Sequence, residues 1–149
     1  MKNKCRACKG ETSQKGFLFK CVNKECGAVF WHRKILSENL EDDSVFKKQL
    51  SLAEIPPTKN KDHFVYVIQL SRKENEVEDS VYVGRTWRHP YERYLWHLSN
   101  KDSQGSSHVI KRGKVMIDYE GPMSKQNAIA REKSLAYALE DKYLVKGGH

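Results

Sequence analysis

The sequence predicts an α+β fold: a small antiparallel sheet of about three strands flanked by helices, preceded by a four-cysteine module. Three observations predict it. The four cysteines fall into two short pairs, Cys5/Cys8 and Cys21/Cys26. Two runs of β-branched and aromatic residues, 63–70 and 80–83, lie close enough together for a hairpin. Beyond residue 124, apolar residues recur at helical period. Of the 149 residues, 38% are hydrophobic and 31% charged. That is little apolar content for one large core and points to two small units.

The N-terminal module is expected over residues 1–34. Its spacing is C-x2-C, twelve residues, then C-x4-C. In a chain read as cytosolic, this is a metal-ligand pattern rather than a disulfide framework. Zn²⁺ takes four soft or borderline ligands in a tetrahedron, and two short cysteine pairs on tight turns supply them. Gly10 and Gly27 follow the two pairs, where turns need permissive backbone. Residues 17–20 and 28–31 read as short strands, completing a zinc ribbon. His32 is a possible substitute ligand, although four cysteines already fill the shell. So small a unit should depend on its metal for folding.

Residues 35–62 read as a helical and loop linker. Leu36, Leu40, Phe46 and Leu50 form a loose apolar stripe for one or two short helices, and Pro56-Pro57 ends them. The C-terminal domain is expected over 63–149. His63–Leu70 is apolar on both faces, as a buried central strand should be. Residues 80–83 form its hairpin partner, with Gly84 expected at the strand end, where something approaches the backbone closely. Pro90 suits the first turn of a helix running to about Leu98, on which Arg93 and His97 share a side. Val115, Ile117 and Tyr119 alternate as a third strand. Ser124 caps a helix of roughly 125–144. On that helix Glu132 interrupts the stripe Ala128, Leu135, Ala136, Leu139 and Tyr143. A carboxylate facing the core must be neutralised, paired or bound to a cation.

The net charge of +8 is uneven. Residues 1–34 hold nine Lys/Arg against two Glu, which favours a polyanionic partner such as nucleic acid over a neutral surface. No apolar run approaches membrane-spanning length, and the first residues lack the apolar stretch of a secretory signal, so a cytoplasmic, membrane-free protein is expected.

Taken together, Tyr66 in Phe64-Val65-Tyr66, the triplet Tyr82-Val83-Gly84, Arg93 and His97 one turn apart, and Glu132 in Ala128-Ile-Ala-Arg-Glu132 resemble the GIY-YIG nuclease superfamily over residues 63–149. The first triplet departs from the signature, since Phe64-Val65 stands for Gly-Ile. The resemblance implies a metal-dependent endonuclease acting on nucleic acid, DNA first. In that reading Glu132 holds Mg²⁺ or Mn²⁺, Tyr66 is the general base, and Tyr82 orients the water or shares that role. Arg93 grips the phosphate, His97 positions Tyr66 or the phosphate, and Gly84 keeps the backbone clear. Nearby positive charge from the metal, Arg93 or His97 would favour an ionised Tyr66. Singly, the tyrosines read as ordinary strand aromatics and Arg93 and His97 as a solvated helix face. The argument rests on their joint order. Ser107, His108, Lys111 and Arg112 either line the substrate path or solvate a loop. A non-catalytic nucleic-acid-binding protein and a zinc-ribbon protein adaptor are the rival readings.

Overall fold

The structure, a computed structural model, describes residues 3–59, 61–99 and 107–148, with the side chains of Ser107, Ile110 and Lys111 outside the description. The first 31 residues hold β1 (Thr12–Lys15), β2 (Leu18–Cys21) and β3 (Val29–Trp31). A 3₁₀ turn (Arg33–Ser37) and α1 (Asp43–Leu52) follow. Next come β4 (His63–Leu70), β5 (Ser80–Thr86), α2 (Pro90–Ser99) and α3 (Ser107–Arg112). β6 (Gly113–Met123), α4 (Lys125–Leu139) and β7 (Leu144–Gly147) complete the chain.

The sheet is larger than the three strands expected. It has seven, in the order β1-β2-β3-β6-β4-β5-β7. The hairpin β4–β5 is antiparallel and pairs all seven residues of β5, so Gly84 lies inside the strand opposite Tyr66 rather than at its end. β6 flanks the other side of β4. Two edges were not legible in the sequence. β1 is polar and mostly exposed, and β7 runs parallel to β5, a pairing with no hairpin signal. The ribbon's β3 joins β6 through Val29 and Met116, so one sheet runs through both regions.

Alternation sends β4 to two cores. Tyr66, Ile68 and Leu70 face a core that also holds Leu18, Val29, Trp31, Tyr94 and Leu95. Val65 and Val67 face the opposite side with Val81, Val83, Ala128 and Ala136, under α4. The Trp31 indole N–H donates to the Tyr91 carbonyl at 3.1 Å and ties β3 to α2. Ser124 caps α4 as expected, its Oγ accepting from the Asn127 N–H. The helix ends at Leu139, short of the expected 144, yet Leu139 and Tyr143 still pack against the valine core. In the linker Leu40 and Phe46 are buried, whereas Leu36 is exposed and leaves the expected stripe.

β6 corrects a finer expectation. Even spacing should put Val115 and Tyr119 on one face. Register shifts in the β4–β6 ladder pair Tyr66 with Tyr119 and Ile68 with Met116, skipping Ile117. The extra residue turns Tyr119 to the face of Tyr66, where it lies 6.4 Å from Phe64, ring centre to ring centre.

Candidate active site and metal centre

The four cysteines converge. Their sulfurs all lie within 4.8 Å of one another, with Cys8–Cys21 at 3.5 Å and Cys5–Cys26 at 3.8 Å. Sulfurs bound to one tetrahedral ion at about 2.3 Å would stand roughly 3.8 Å apart, so the set fits a metal ion. Backbone N–H groups of Ala7 and Gly10 point at the Cys5 and Cys8 sulfurs. Gly27 has φ +61°, as the second turn requires, but in the first turn the positive φ belongs to Lys9, not Gly10. His32 stays outside the set. Its Nδ1 accepts from the Lys34 N–H and caps the 3₁₀ turn.

A second cluster forms on the tyrosine face of the sheet. β4 carries Tyr66 and β5 carries Tyr82 two residues from Gly84, while α2 lays His97 over both rings. The Tyr66 hydroxyl is 2.6 Å from His97 Nε2, in full burial. Ring centres are 5.9 Å apart for Tyr66–His97 and 5.5 Å for Tyr82–His97. Gly84 makes this possible. A Cβ there would stand 2.4 Å from the Tyr66 ring and hydroxyl and 2.9 Å from Tyr82. The position therefore excludes any side chain so that two phenols can meet over the strand.

Electrostatics make the pair neutral at rest. Burial drives the Tyr66 pKa well above the ordinary tyrosine value, and Tyr82 adds to it, while Arg93 pulls the other way by charge and hydrogen bonding. Burial also depresses His97 to about 3, with the Arg93 charge contributing. This corrects one expectation, because a neutral His97 offers Tyr66 no positive charge. A protonated phenol is then the donor and Nε2 the acceptor, which fixes the imidazole with its proton on Nδ1. Arg93, half-buried on the same helix, supplies the cation instead.

Glu132 belongs to a different element. It is buried on α4 between Ala128 and Ala136, and neither it nor Arg93 is without a partner. As an oxygen donor held out of bulk water, its carboxylate suits a hard divalent cation. Of the four residues whose role was open, His108 is exposed on α3, and Arg112 pairs with Glu76. The side chains of Ser107 and Lys111 lie outside the described residues.

A family model described as the GIY-YIG catalytic domain matches residues 62–143, more than half of the chain. The chain belongs to the GIY-YIG family. No curated protein and no solved structure matches the chain. Membership implies a nucleic-acid substrate and places the chain within a nuclease superfamily. Sequence reading missed the aromatic group beside the GIY-YIG cluster. His89, Tyr91 and Tyr119 form a triangle with centres 4.6 to 5.6 Å apart, next to Phe64 and under the ribbon's Lys20. Only the bulge in β6 turns Tyr119 towards Tyr66, and no periodicity announces a bulge. Among the described residues, no helix is long and apolar enough to cross a membrane.

Proposed function

We propose that this protein is a metal-dependent endonuclease that hydrolyses phosphodiester bonds in nucleic acid, DNA first, with a Zn²⁺-stapled ribbon that helps hold the substrate. The observation that carries this reading is the buried Tyr66–His97 hydrogen bond beside Tyr82, Gly84 and Arg93. A buried phenol needs a partner in any role; what supports the reading is that this partner is an imidazole, able to take the phenol's proton, beside a second phenol and a guanidinium.

Tyr66 is the general base. The attacking water gives a proton to the phenol oxygen while the phenol's own proton passes to His97 Nε2. The phosphorus–oxygen bond to the leaving group then breaks, and the departing oxygen takes a proton from solvent. His97 is a poor base in the empty site, but an incoming phosphate brings the negative charge that stabilises its imidazolium form. Tyr82 orients the water. The Arg93 guanidinium donates to the phosphate, for which its planar fork is suited. Glu132 would hold Mg²⁺ or Mn²⁺, which when bound polarises the phosphate and stabilises the leaving oxygen. The ribbon and its basic residues contribute phosphate contacts, which give affinity without base readout. We place the division of labour at residues 1–34 for the ribbon, 35–62 for the linker and 63–149 for the catalytic domain.

The test is cleavage of DNA and RNA with Mg²⁺ or Mn²⁺ by the wild-type chain, Glu132→Ala and Tyr66→Phe. Loss of a positioned proton acceptor costs about 10²- to 10⁴-fold, so Tyr66→Phe should lose at least that much; Glu132→Ala, which removes the metal's proposed ligand, should abolish cutting, and both should still bind substrate. Cutting that survives both changes would remove the mechanism. A wild-type chain that binds but never cuts would leave a nucleic-acid-binding protein on a nuclease fold.

A further inference from the structure

A second polar site lies away from the tyrosines, where the ribbon meets α2 and the start of β6. It is a cavity of about 490 Å³, lined by Arg6, Arg33, Arg112 and Lys114 over a floor that includes Trp31 and Tyr94. No carboxylate is among its lining residues. Among the described residues Arg6, Arg33 and Lys114 make no ion pair. Arg112 is bonded to Glu76 and to the Ser71 carbonyl, yet its Nη1 is buried with no hydrogen-bond partner among the described residues. Arg6 is held in place by the Lys114 carbonyl at 2.9 Å and by the Phe30 ring at 4.2 Å. Burial depresses the Arg6 pKa against an opposing pull from Tyr94, and the Arg33 charge nearby adds to the lowering. Like charges gathered in a cleft with a buried unsatisfied donor are costly unless an anion occupies it.

We propose that this cavity is a phosphate-binding site, and that in the working protein it holds a backbone phosphate of the nucleic-acid strand remote from the bond being cut. The phosphate chemistry stands on the cavity itself, whereas its source in a strand rests on the nuclease reading. Ser71 lines the cavity five residues beyond Tyr66, just past the end of β4. At about 3.3 Å per residue that spans roughly 17 Å, or about five steps of duplex at 3.4 Å each. α2 stands between the two sites. Tyr94 and Leu98 face the cavity, and His97 faces Tyr66. A strand gripped in the cavity is therefore held at a fixed offset from the catalytic phenol. Because Arg6 and Arg33 come from the ribbon region and Arg112 and Lys114 from the catalytic domain, the site exists only when the two are joined.

The experiment uses the full zinc-loaded chain and the variant Arg33→Gln/Lys114→Gln. Arg33→Gln alone serves as a second variant, since Arg33 is exposed and its removal leaves the core untouched. One arm follows a fluorescein-labelled oligonucleotide by anisotropy across a salt series. The other titrates inorganic phosphate and follows backbone amide shifts. The double variant should bind the oligonucleotide about tenfold or more weakly, and the slope of log K against log salt should shrink by about 0.7–0.9 for each phosphate no longer neutralised. Phosphate-induced shifts at Gly113 and Arg33 should also vanish. If those shifts vanish while oligonucleotide binding is unchanged, the site takes free phosphate and its role on the strand is overturned. If folded variants match wild type in both arms, the whole proposal is overturned. Neither arm requires turnover, so a failure of the nuclease reading registers separately, in the cleavage assay.

Discussion

The thiol cluster and the tyrosine cluster are built by opposite means. The ribbon gathers four cysteines from 22 consecutive residues on two turns, the first of which aims the Ala7 and Gly10 N–H groups at sulfur. Once deprotonated, four such sulfurs repel one another, and a cation among them would offset that repulsion. The tyrosine cluster draws its members from two strands and α2, and packing together with the Tyr66–His97 hydrogen bond brings Tyr66, Tyr82 and His97 together. There the geometry is set by register and by one absent side chain, at Gly84. A site stapled by metal tolerates a weak core but fails with its ion. A site set by register tolerates loss of an ion but not a misplaced methyl group.

Removal of zinc should have the largest effect. Structural zinc contributes about 10–16 kcal/mol of apparent binding energy in ribbon-sized peptides. Chelation should therefore abolish hydrogen-exchange protection at Phe19 and Cys21, while Val65 and Val67 in β4 stay protected. Protection that disappears together in both regions would mean that they unfold as one unit. The shared core of Leu18, Val29 and Trp31 with Tyr66 and Ile68 makes this a demanding comparison.

Gly84→Ala comes next and strikes the other region. Its methyl group would overlap the Tyr66 ring and hydroxyl at 2.4 Å, in a buried row where little can shift. Overpacking of this kind costs about 1–3 kcal/mol. A displacement near 1 Å at a reacting group costs about 10²-fold in rate. Cleavage should fall by at least that factor with zinc content unchanged. Wild-type cutting by Gly84→Ala would show that the phenols do not need to meet over a bare backbone.

The contrast also explains what was legible in the sequence. The cysteine pairs, Pro90 at the first turn of α2 and Ser124 at the cap of α4 act within a few residues, and the structure places all of them as expected. So does the strand His63–Leu70, whose two apolar faces require cover on both sides. Features that depend on a distant partner were not legible. β1 has polar residues that identify it only once β2 is present. β7 is a four-residue edge whose parallel pairing needs β5, and Tyr119 changes face through a bulge. The order of the tyrosine, arginine and histidine positions pointed to the family, yet the low pKa of His97 comes from burial that no pattern encodes.

Acid should separate the two regions as well. His97 is held near 3 when folded, against about 6.5 in an unfolded chain. Between these values the unfolded state binds the extra proton, so stability is complete above pH 6.5 and falls as the pH drops towards 3. The contribution of one such group is at most about 1.4 kcal/mol per pH unit. His89, lowered to about 4 by burial and Lys20, adds in the same direction. Denaturant unfolding at a series of pH values should show a shallower acid slope for His97→Gln than for wild type. Identical slopes would place the protonating group elsewhere, in the ribbon thiols for instance.

The smallest effect belongs to the cap of α4. Ser124 Oγ accepts from the Asn127 N–H at 3.1 Å and satisfies one of the free donors at the start of the helix that carries Glu132. Ser124→Ala should cost about 1 kcal/mol. The loss should fall mainly on residues 63–148, because α4 packs on β4, β5 and β7 whereas the ribbon strands form the opposite end of the same sheet. Thermal unfolding should drop by a few degrees, while zinc affinity, measured by competition with a chelator, stays at the wild-type value. A parallel loss of zinc affinity would show that the sheet carries strain from α4 to the thiols, and the two clusters would then share one stability despite their different construction.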